Sequence, residues 1–320
     1  MTKRRSLGHS GLSTAPLVLG GNVFGWTADE QTSFDILDAF VAGGGNMIDS
    51  ADVYSGFAPG LKGGESEAVI GRWMKSRGNR DKVLVATKVG YLLEGDRQLG
   101  GLKPERILTI VEESLARLQT DYIDLYYAHV DDEATPLEDV LETFDRLIRA
   151  GKVRCVAASN YSPERLEDAL QRSEAKGLTS YVALQSLYNL LDRDKFEGPL
   201  RQLCLDRGIG FVPFFGLASG FLTGKYRSAA DLEGKARADM AGHYLNERGL
   251  AVLEVLDEVA GETGSVPAQV ALAWLAAQPA VTAPIASATS LSQAETLVGA
   301  MHLSLSAEQI GRLNEVSRPD

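Results

Sequence analysis

The chain alternates short apolar runs with longer amphipathic ones, eight times over, and no other feature narrows its fold as much. The apolar runs are Leu17–Gly20, Met47–Ala51, Val83–Val89, Ile123–His129, Val153–Ser159, Tyr181–Leu187, Gly210–Phe215 and Val281–Ser287. Several are apolar at consecutive positions, as expected of parallel strands covered on both faces. Between them lie periodic segments at Gln31–Val41, Glu67–Lys75, Pro104–Leu118, Leu137–Arg149, Pro163–Gln171 and Leu200–Arg207. The fourth places Val140, Phe144 and Leu147 on one face with carboxylates opposite, which is the pattern of a helix packed on a sheet. Eight strand-then-helix units favour a closed α/β barrel, the (β/α)8 or TIM barrel, over an open sheet. A chain of 320 residues suits one such domain spanning 1–320,.

Local signals agree with that division. Thr27-Ala-Asp-Glu30 reads as a capping box and Gly43-Gly-Gly45 as a helix terminator, while Pro104, Pro136 and Pro163 stand where first helical turns begin,. Ser66 is a further candidate cap. Arg4–Pro16 reads as a small β-hairpin that plugs one end of the barrel. Two connections, Tyr91–Leu102 and Tyr226–Arg248, exceed what a link requires, and long segments without periodicity are commonly lids or disordered.

Charge and cysteine content exclude several classes. Net charge is −11, from 32 Lys and Arg against 43 Asp and Glu, with no basic cluster of the kind nucleic acid demands,. Any anionic cofactor must therefore find its cations locally. Cys155 and Cys204 read as small core residues in a reducing compartment, not as a disulfide framework. The opening Met1-Thr2-Lys3-Arg4-Arg5 is followed by no apolar signal core, and no run has membrane-spanning length,. The expected setting is the cytoplasm, with no membrane or nucleic-acid partner, as a monomer or weak oligomer.

In a barrel of this type the active site lies at the C-terminal ends of the strands. Polar groups expected there are Asp49, Ser50, Asp52 and Tyr54, then Lys88, His129, Ser159 with Asn160, and Gln185. Singly each has a structural explanation; together an acid, a base, a phenol and an imidazole converge on one rim. Carbonyl reduction needs that set, because hydride arrival leaves an alkoxide that must receive a proton. A phenol near its ordinary pKa of ~10 does this poorly unless a cation lowers it by about 1–3 units. Lys88 is the expected cation, kept charged by Asp49, with His129 orienting the carbonyl. Phe24, Trp26 and Tyr91 are expected pocket walls. The chain has no G-x-G-x-x-G, its Gly20-Gly-Asn-Val-Phe-Gly25 lacks the Lys-Ser/Thr of a P-loop, and no zinc signature is present, so no metal is expected,.

Six segments carry a family resemblance over nearly the whole chain. They are Asp49-Ser-Ala-Asp-Val-Tyr54, Gly64-Glu-Ser-Glu67, Ala86-Thr-Lys88, Asp124-Leu-Tyr-Tyr-Ala-His129, Gly151-Lys-Val-Arg154 with Ala158-Ser-Asn160, and Gly220-Phe-Leu-Thr-Gly-Lys-Tyr226. In these the chain resembles the aldo-keto reductases, and Gly20–Ala39 is similar to a bacterial branch with pyridoxal dehydrogenases and keto-sugar and keto-mycotoxin reductases. The resemblance implies a barrel enzyme using NADP(H), or NAD(H), on a small carbonyl or alcohol, with Asp49, Tyr54, Lys88 and His129 as catalytic tetrad. It further implies that Ser159, Asn160 and Gln185 hold the nicotinamide carboxamide and that Phe214 stacks on the ring. Gly21, Asn22, Leu217 and Gly220 fall in its cofactor-binding stretches. Phe215-Gly216 replaces the usual Ser-Pro, and Thr289 and Leu297 replace a basic residue and an Asn. Lys225 is then the nearest cation for a 2′-phosphate, assisted by Ser287, Thr289 and Gln293. Two rival readings stay open: a Schiff-base aldolase built on Lys88, and a cofactor-binding regulatory barrel with little turnover.

Overall fold

Apolar runs bounded by turn residues become strands because their side chains are covered on both faces at once. The computed structural model describes residues 3–91, 101–235 and 238–319. Its first two strands, β1 (Arg5–Ser6) and β2 (Ser13–Thr14), pair antiparallel as the expected hairpin. Eight more follow: β3 (Val18–Gly20), β4 (Met47–Asp49), β5 (Leu84–Val89), β6 (Ile123–Ala128), β7 (Val153–Ser159), β8 (Ala183–Gln185), β9 (Gly210–Phe211) and β10 (Ile285–Ala286). They lie parallel in the order β10-β3-β4-β5-β6-β7-β8-β9. The ring closes where the Phe211 amide donates to Ala280 O (3.1 Å) and the Thr282 amide to Phe211 O (2.8 Å). The result is the eight-stranded barrel expected from the alternation.

Helices α1 (Glu30–Ala42), α2 (Glu65–Arg77), α3 (Pro104–Leu118), α4 (Leu137–Arg149), α5 (Pro163–Lys176) and α6 (Pro199–Arg207) occupy the six periodic segments. The last part of the chain departs from simple alternation. There α7 (Ala238–Gly242), α8 (Glu247–Thr263) and α9 (Pro267–Ala277) precede β10, and α10 (Leu291–His302) and α11 (Ala307–Val316) follow it. Strands expected at Gly210–Phe215 and Val281–Ser287 are shorter than their apolar runs, since Pro213 and Pro284 have no N–H to give a ladder. Among the described residues no helix is long and apolar enough to cross a membrane.

Two expected caps are reassigned. Thr27 lies in a tight turn, where the Ala28 amide donates to Val23 O, and Asp29 caps α1 by accepting from the Thr32 amide at 2.8 Å. Ser66 sits inside the first turn of α2, behind Gly64, and spends its hydroxyl on Gly21 O at 2.8 Å. Pro136 is the N-cap of α4, one position before its first helical residue. The connection expected at Tyr226–Arg248 is not structureless: Tyr226 and Ala241 are buried, and the Tyr244 hydroxyl donates to Asp192 at 2.7 Å. Most of the Tyr91–Leu102 connection, residues 92–100, lies outside the described residues.

Two apolar layers hold these parts together. The outer one fills the space between strands and helices and contains Val140, Phe144 and Leu147 of α4 as expected. The inner one fills the barrel with Val18, Met47, Leu125, Tyr127, Val182 and Val212, and takes in Leu7 and Leu12 of the hairpin. Cys155 and Cys204 are buried free thiols. The hairpin seats closely on the barrel floor: Gly8 has a φ of 52°, and a Cβ there would stand 2.2 Å from Val182 O. Gly8→Ala should therefore lower stability by about 1–3 kcal/mol, read as a fall in Tm. An unchanged Tm would show that the hairpin does not press on the floor.

Candidate active site

The C-terminal ends of β4, β5 and β6 bring three expected residues together. Asp49 is the last residue of β4, Lys88 points inward from β5, and His129 follows β6 with its amide on Val89 O at 2.8 Å. Tyr54 arrives from the loop after β4. Ser55, next to it, holds a left-handed φ of 76° and is fastened by its hydroxyl to Phe24 O at 2.9 Å. A non-glycine residue in that region is strained and persists only where its surroundings fix it. The neighbouring Tyr54 hydroxyl meets Lys88 inside the barrel.

Lys88 is fully buried and every proton of its ammonium is engaged,. It donates to Asp49 Oδ2 at 2.5 Å, to Ser50 O at 2.7 Å and to the Tyr54 hydroxyl at 2.9 Å. The Tyr54 hydroxyl in turn donates to Asp49 Oδ2 at 3.3 Å. Gln185 closes the network from β8, its amide donating to Asp49 Oδ1 at 2.9 Å. The His129 ring stands edge-on to Tyr54, with centroids 6.0 Å apart, and its Nδ1 is buried without a partner among the described residues.

Electrostatics differ from the expectation in one respect. Burial first, and then the Asp49 carboxylate, push the Tyr54 phenol well above its ordinary range, instead of Lys88 pulling it down. Desolvation opposes phenolate whatever cation stands near, and Asp49 neutralises most of the Lys88 field. Tyr54 is thus a firmly protonated phenol. Burial likewise lowers the Lys88 pKa against the opposing pull of Asp49. His129 is held well below its ordinary value by burial and by Lys88, so it is neutral.

The remaining candidates form a ring around this centre. The Asn160 side chain donates to His129 O at 3.0 Å and to Ser159 Oγ at 3.1 Å, tying the end of β7 to that of β6. Phe214 follows β9, half-buried, edge-on to Phe215. Ser287 donates to Asn22 at 2.5 Å, and Gln293 accepts from the Thr289 amide at 2.9 Å at the start of α10. Gly21 packs so closely that a Cβ would stand 2.8 Å from Ser66 Oγ. Leu217 and Gly220 lie on an irregular loop in which Phe215, Ala218 and Ser219 all have positive φ. Lys225 is exposed beyond that loop, above the Tyr226 ring at 4.9 Å.

Of the expected pocket walls, Tyr91 is exposed and Trp26 half-buried, but Phe24 reaches no surface. Phe24 is fully buried in the outer apolar layer, and its carbonyl accepts from the Ser55 hydroxyl beside Tyr54. An exposed aromatic that sequence reasoning missed stands beside Trp26. Phe57 is 51% exposed and edge-on to Trp26 at 5.3 Å; Tyr91 is 45% exposed and 5.2 Å from His129. A phenylalanine in the glycine- and proline-rich run Ser55–Gly60 was the available signal. Also missed was Glu67, fully buried behind β5, where it accepts from Thr87 at 2.5 Å and from Arg117 at 2.7 Å. Its acidic side chain in an amphipathic helix gave no sign of burial.

The aldo/keto reductase family model matches residues 16–318. The chain belongs to the aldo/keto reductase family. It is 34% identical to the uncharacterized oxidoreductase YrpG of Bacillus subtilis (strain 168), over 97% of this chain and 94% of that one. It is 31% identical to protein tas of Escherichia coli (strain K12), over 96% of this chain and 95% of that one. It is also 30% identical to the norsolorinic acid reductase stcV of Emericella nidulans, over 96% of this chain and 79% of the fungal one. Family and relatives together make this chain an oxidoreductase.

The buried Lys88–Asp49 pair generates a stability test. Removing one partner of such a pair strands the other and costs about 3–5 kcal/mol. Lys88→Met should lose stability on that scale in urea unfolding, and Asp49→Asn added to it should recover a large part. A Lys88→Met protein as stable as the parent would show that the pair is not the buried ion pair described.

Proposed function

We propose that this protein interconverts a carbonyl and an alcohol with NADP(H), using Tyr54 as the proton donor and acceptor. The observation that carries the reading is the Tyr54 hydroxyl held at 2.9 Å from the fully buried Lys88 ammonium, beside a neutral His129. The ring of candidates is consistent with a dinucleotide. Phe214 presents a half-buried ring at a strand end, and Ser159, Asn160 and Gln185 supply the donors and acceptors a carboxamide needs,. Among the described residues Lys225 forms no ion pair, so its ammonium is free for a 2′-phosphate.

A nicotinamide held by Ser159, Asn160, Gln185 and Phe214 would supply the hydride; the chain's own residues handle the oxygen. Tyr54 gives its proton to the oxygen as negative charge builds there, an alkoxide being a far stronger base than a phenolate. Lys88 then stabilises the phenolate left behind, and Asp49 and the Ser50 carbonyl keep the ammonium in place. His129, as a neutral imidazole, orients the substrate oxygen by a hydrogen bond. In the oxidative direction the same groups act in reverse. The aromatic surfaces of Trp26, Phe57 and Tyr91 suit a substrate with a flat apolar body. The Schiff-base reading of Lys88 is disfavoured, because an amine with three bound acceptors has no lone pair to offer.

Tyr54→Phe should reduce kcat at least about 10²-fold while leaving NADPH affinity nearly unchanged. Turnover with a carbonyl panel and fluorescence titration of NADPH read the two quantities, and a variant retaining most of its kcat removes Tyr54 from the mechanism. Cofactor choice rests on Lys225. A hydrogen bond to a charged group contributes roughly 1.5–3 kcal/mol, so one lysine gives NADPH a preference on the order of ten- to a hundredfold. Lys225→Ala should erase most of it and spare NADH. A parent that prefers NADH in kcat/KM, or a variant with undiminished NADPH preference, rules this assignment out.

A further inference from the structure

Behind β5 lies a second set of buried charges that the reaction above does not use. Successive strand residues face opposite ways, so Lys88 meets Asp49 and Tyr54 inside the barrel while Thr87 meets Glu67 outside it. Glu67 is fully satisfied by Thr87 and by Arg117 of α3. Asp52 is not. It lies two residues before Tyr54, it is buried, and its amide donates to Lys88 O at 3.3 Å. Its Oδ2 stands 3.8 Å from Arg106 Nη2, and its Oδ1 has no partner among the described residues. Arg106 Nε is buried and unpartnered as well. The Val53 amide bonds to the Asp52 carboxylate, but at 3.8 Å the pair has no hydrogen bond between its partners and each keeps a buried polar atom unpaired, so its desolvation is poorly offset,. A pair of that kind is a poor device for stability.

We propose that Asp52 is a positioning residue for Tyr54, its pairing with Arg106 fastening the loop that holds the phenol over Lys88. The inference rests on Tyr54 acting in carbonyl reduction. The titratable and charged groups that act on Asp52 are Glu67 from α2, Arg106 and Arg117 from α3, Lys88 from β5, Tyr126 from β6, and Tyr54 from its own loop. Burial, then Glu67, raise the Asp52 carboxyl to about 7 against the pull of the two arginines. The pair therefore forms as pH rises through neutrality. An unfolded Asp ionises near ~4, so between there and about 7 the unfolded chain releases a proton that the folded chain keeps,. Rising pH costs stability across that window, while it completes the ion pair that positions Tyr54.

Asp52→Asn keeps the shape and removes the charge, and its two effects should have opposite signs. With NADPH and benzaldehyde or phenanthrenequinone, its kcat should match the parent near about pH 5 and fall roughly three- to tenfold below it near about pH 8.5. NADPH affinity should stay within about twofold. Its Tm relative to the parent should rise between those two pH values by roughly 2–6 °C. Arg106→Gln breaks the pair from the other side: it should show the same loss of kcat at the higher pH, with a lower Tm there. A merely structural residue would lower Tm and kcat together at every pH. If the parent turns over and the Asp52→Asn to parent ratio of kcat is constant with pH, the positioning role is overturned and the reading of Tyr54 stands. If the parent oxidises no NADPH with either carbonyl at any pH, the carbonyl-reduction reading itself is overturned.

Discussion

The fold and its site meet in one interaction, the buried ion pair between Lys88 and Asp49. Two charges taken out of water require close geometry and further hydrogen bonds to offset their desolvation. The barrel supplies both, because β4 and β5 are adjacent and parallel and the two side chains project from their ends into the same interior. Ser50 O, the Tyr54 hydroxyl and the Gln185 amide occupy the remaining donor and acceptor positions. The pair thus specifies where the Tyr54 loop and the end of β8 must lie. What it loses in solvation it returns as a preorganised centre.

That preorganisation explains the protonation states. In a solvated site a lysine would lower the pKa of an adjacent phenol. Here the same lysine is matched by a carboxylate, and burial acts on the phenol directly, so Tyr54 stays protonated and His129 stays neutral. In the proposed reaction such a centre would hold a proton ready for a developing alkoxide and stabilise the phenolate only once it formed. Electrostatic groups fixed before the reaction need no reorganisation during it.

Below the rim the molecule spends its apolar residues on rigidity. The inner layer is plugged by Leu7 and Leu12 at one end, and the outer layer takes in Phe24, whose carbonyl holds Ser55 beside Tyr54. Loop irregularity gathers at the other end, where Ser55, Asn160, Phe215, Ala218 and Ser219 all take positive φ. A stiff scaffold carrying strained loops is the usual division of labour between stability and function.

Much of this was legible in the sequence. Eight apolar runs at the spacing of strands, with amphipathic segments between them, sufficed for the barrel, because covered parallel strands and packed helices leave distinct periods of hydrophobicity. Asp49, Lys88 and His129 were legible too, since a polar group ending an apolar strand points to the rim. Other features depended on tertiary placement. Whether Phe24 lines the mouth or the core turns on the direction of one loop, and Phe57 took the exposed place instead. The cap expected at Thr27 passed to Asp29 because Thr27 is held in the turn before the helix, and Ser66 gives its hydroxyl to a tertiary bond with Gly21 O instead of a cap. The burial of Glu67 and Asp52, and the pKa shifts of Tyr54 and Asp52, come from charges and desolvation supplied by segments distant in the chain. Local pattern determines which residues face a rim or a core; how far a charge is desolvated, and by whom it is neutralised, is decided only when the elements pack.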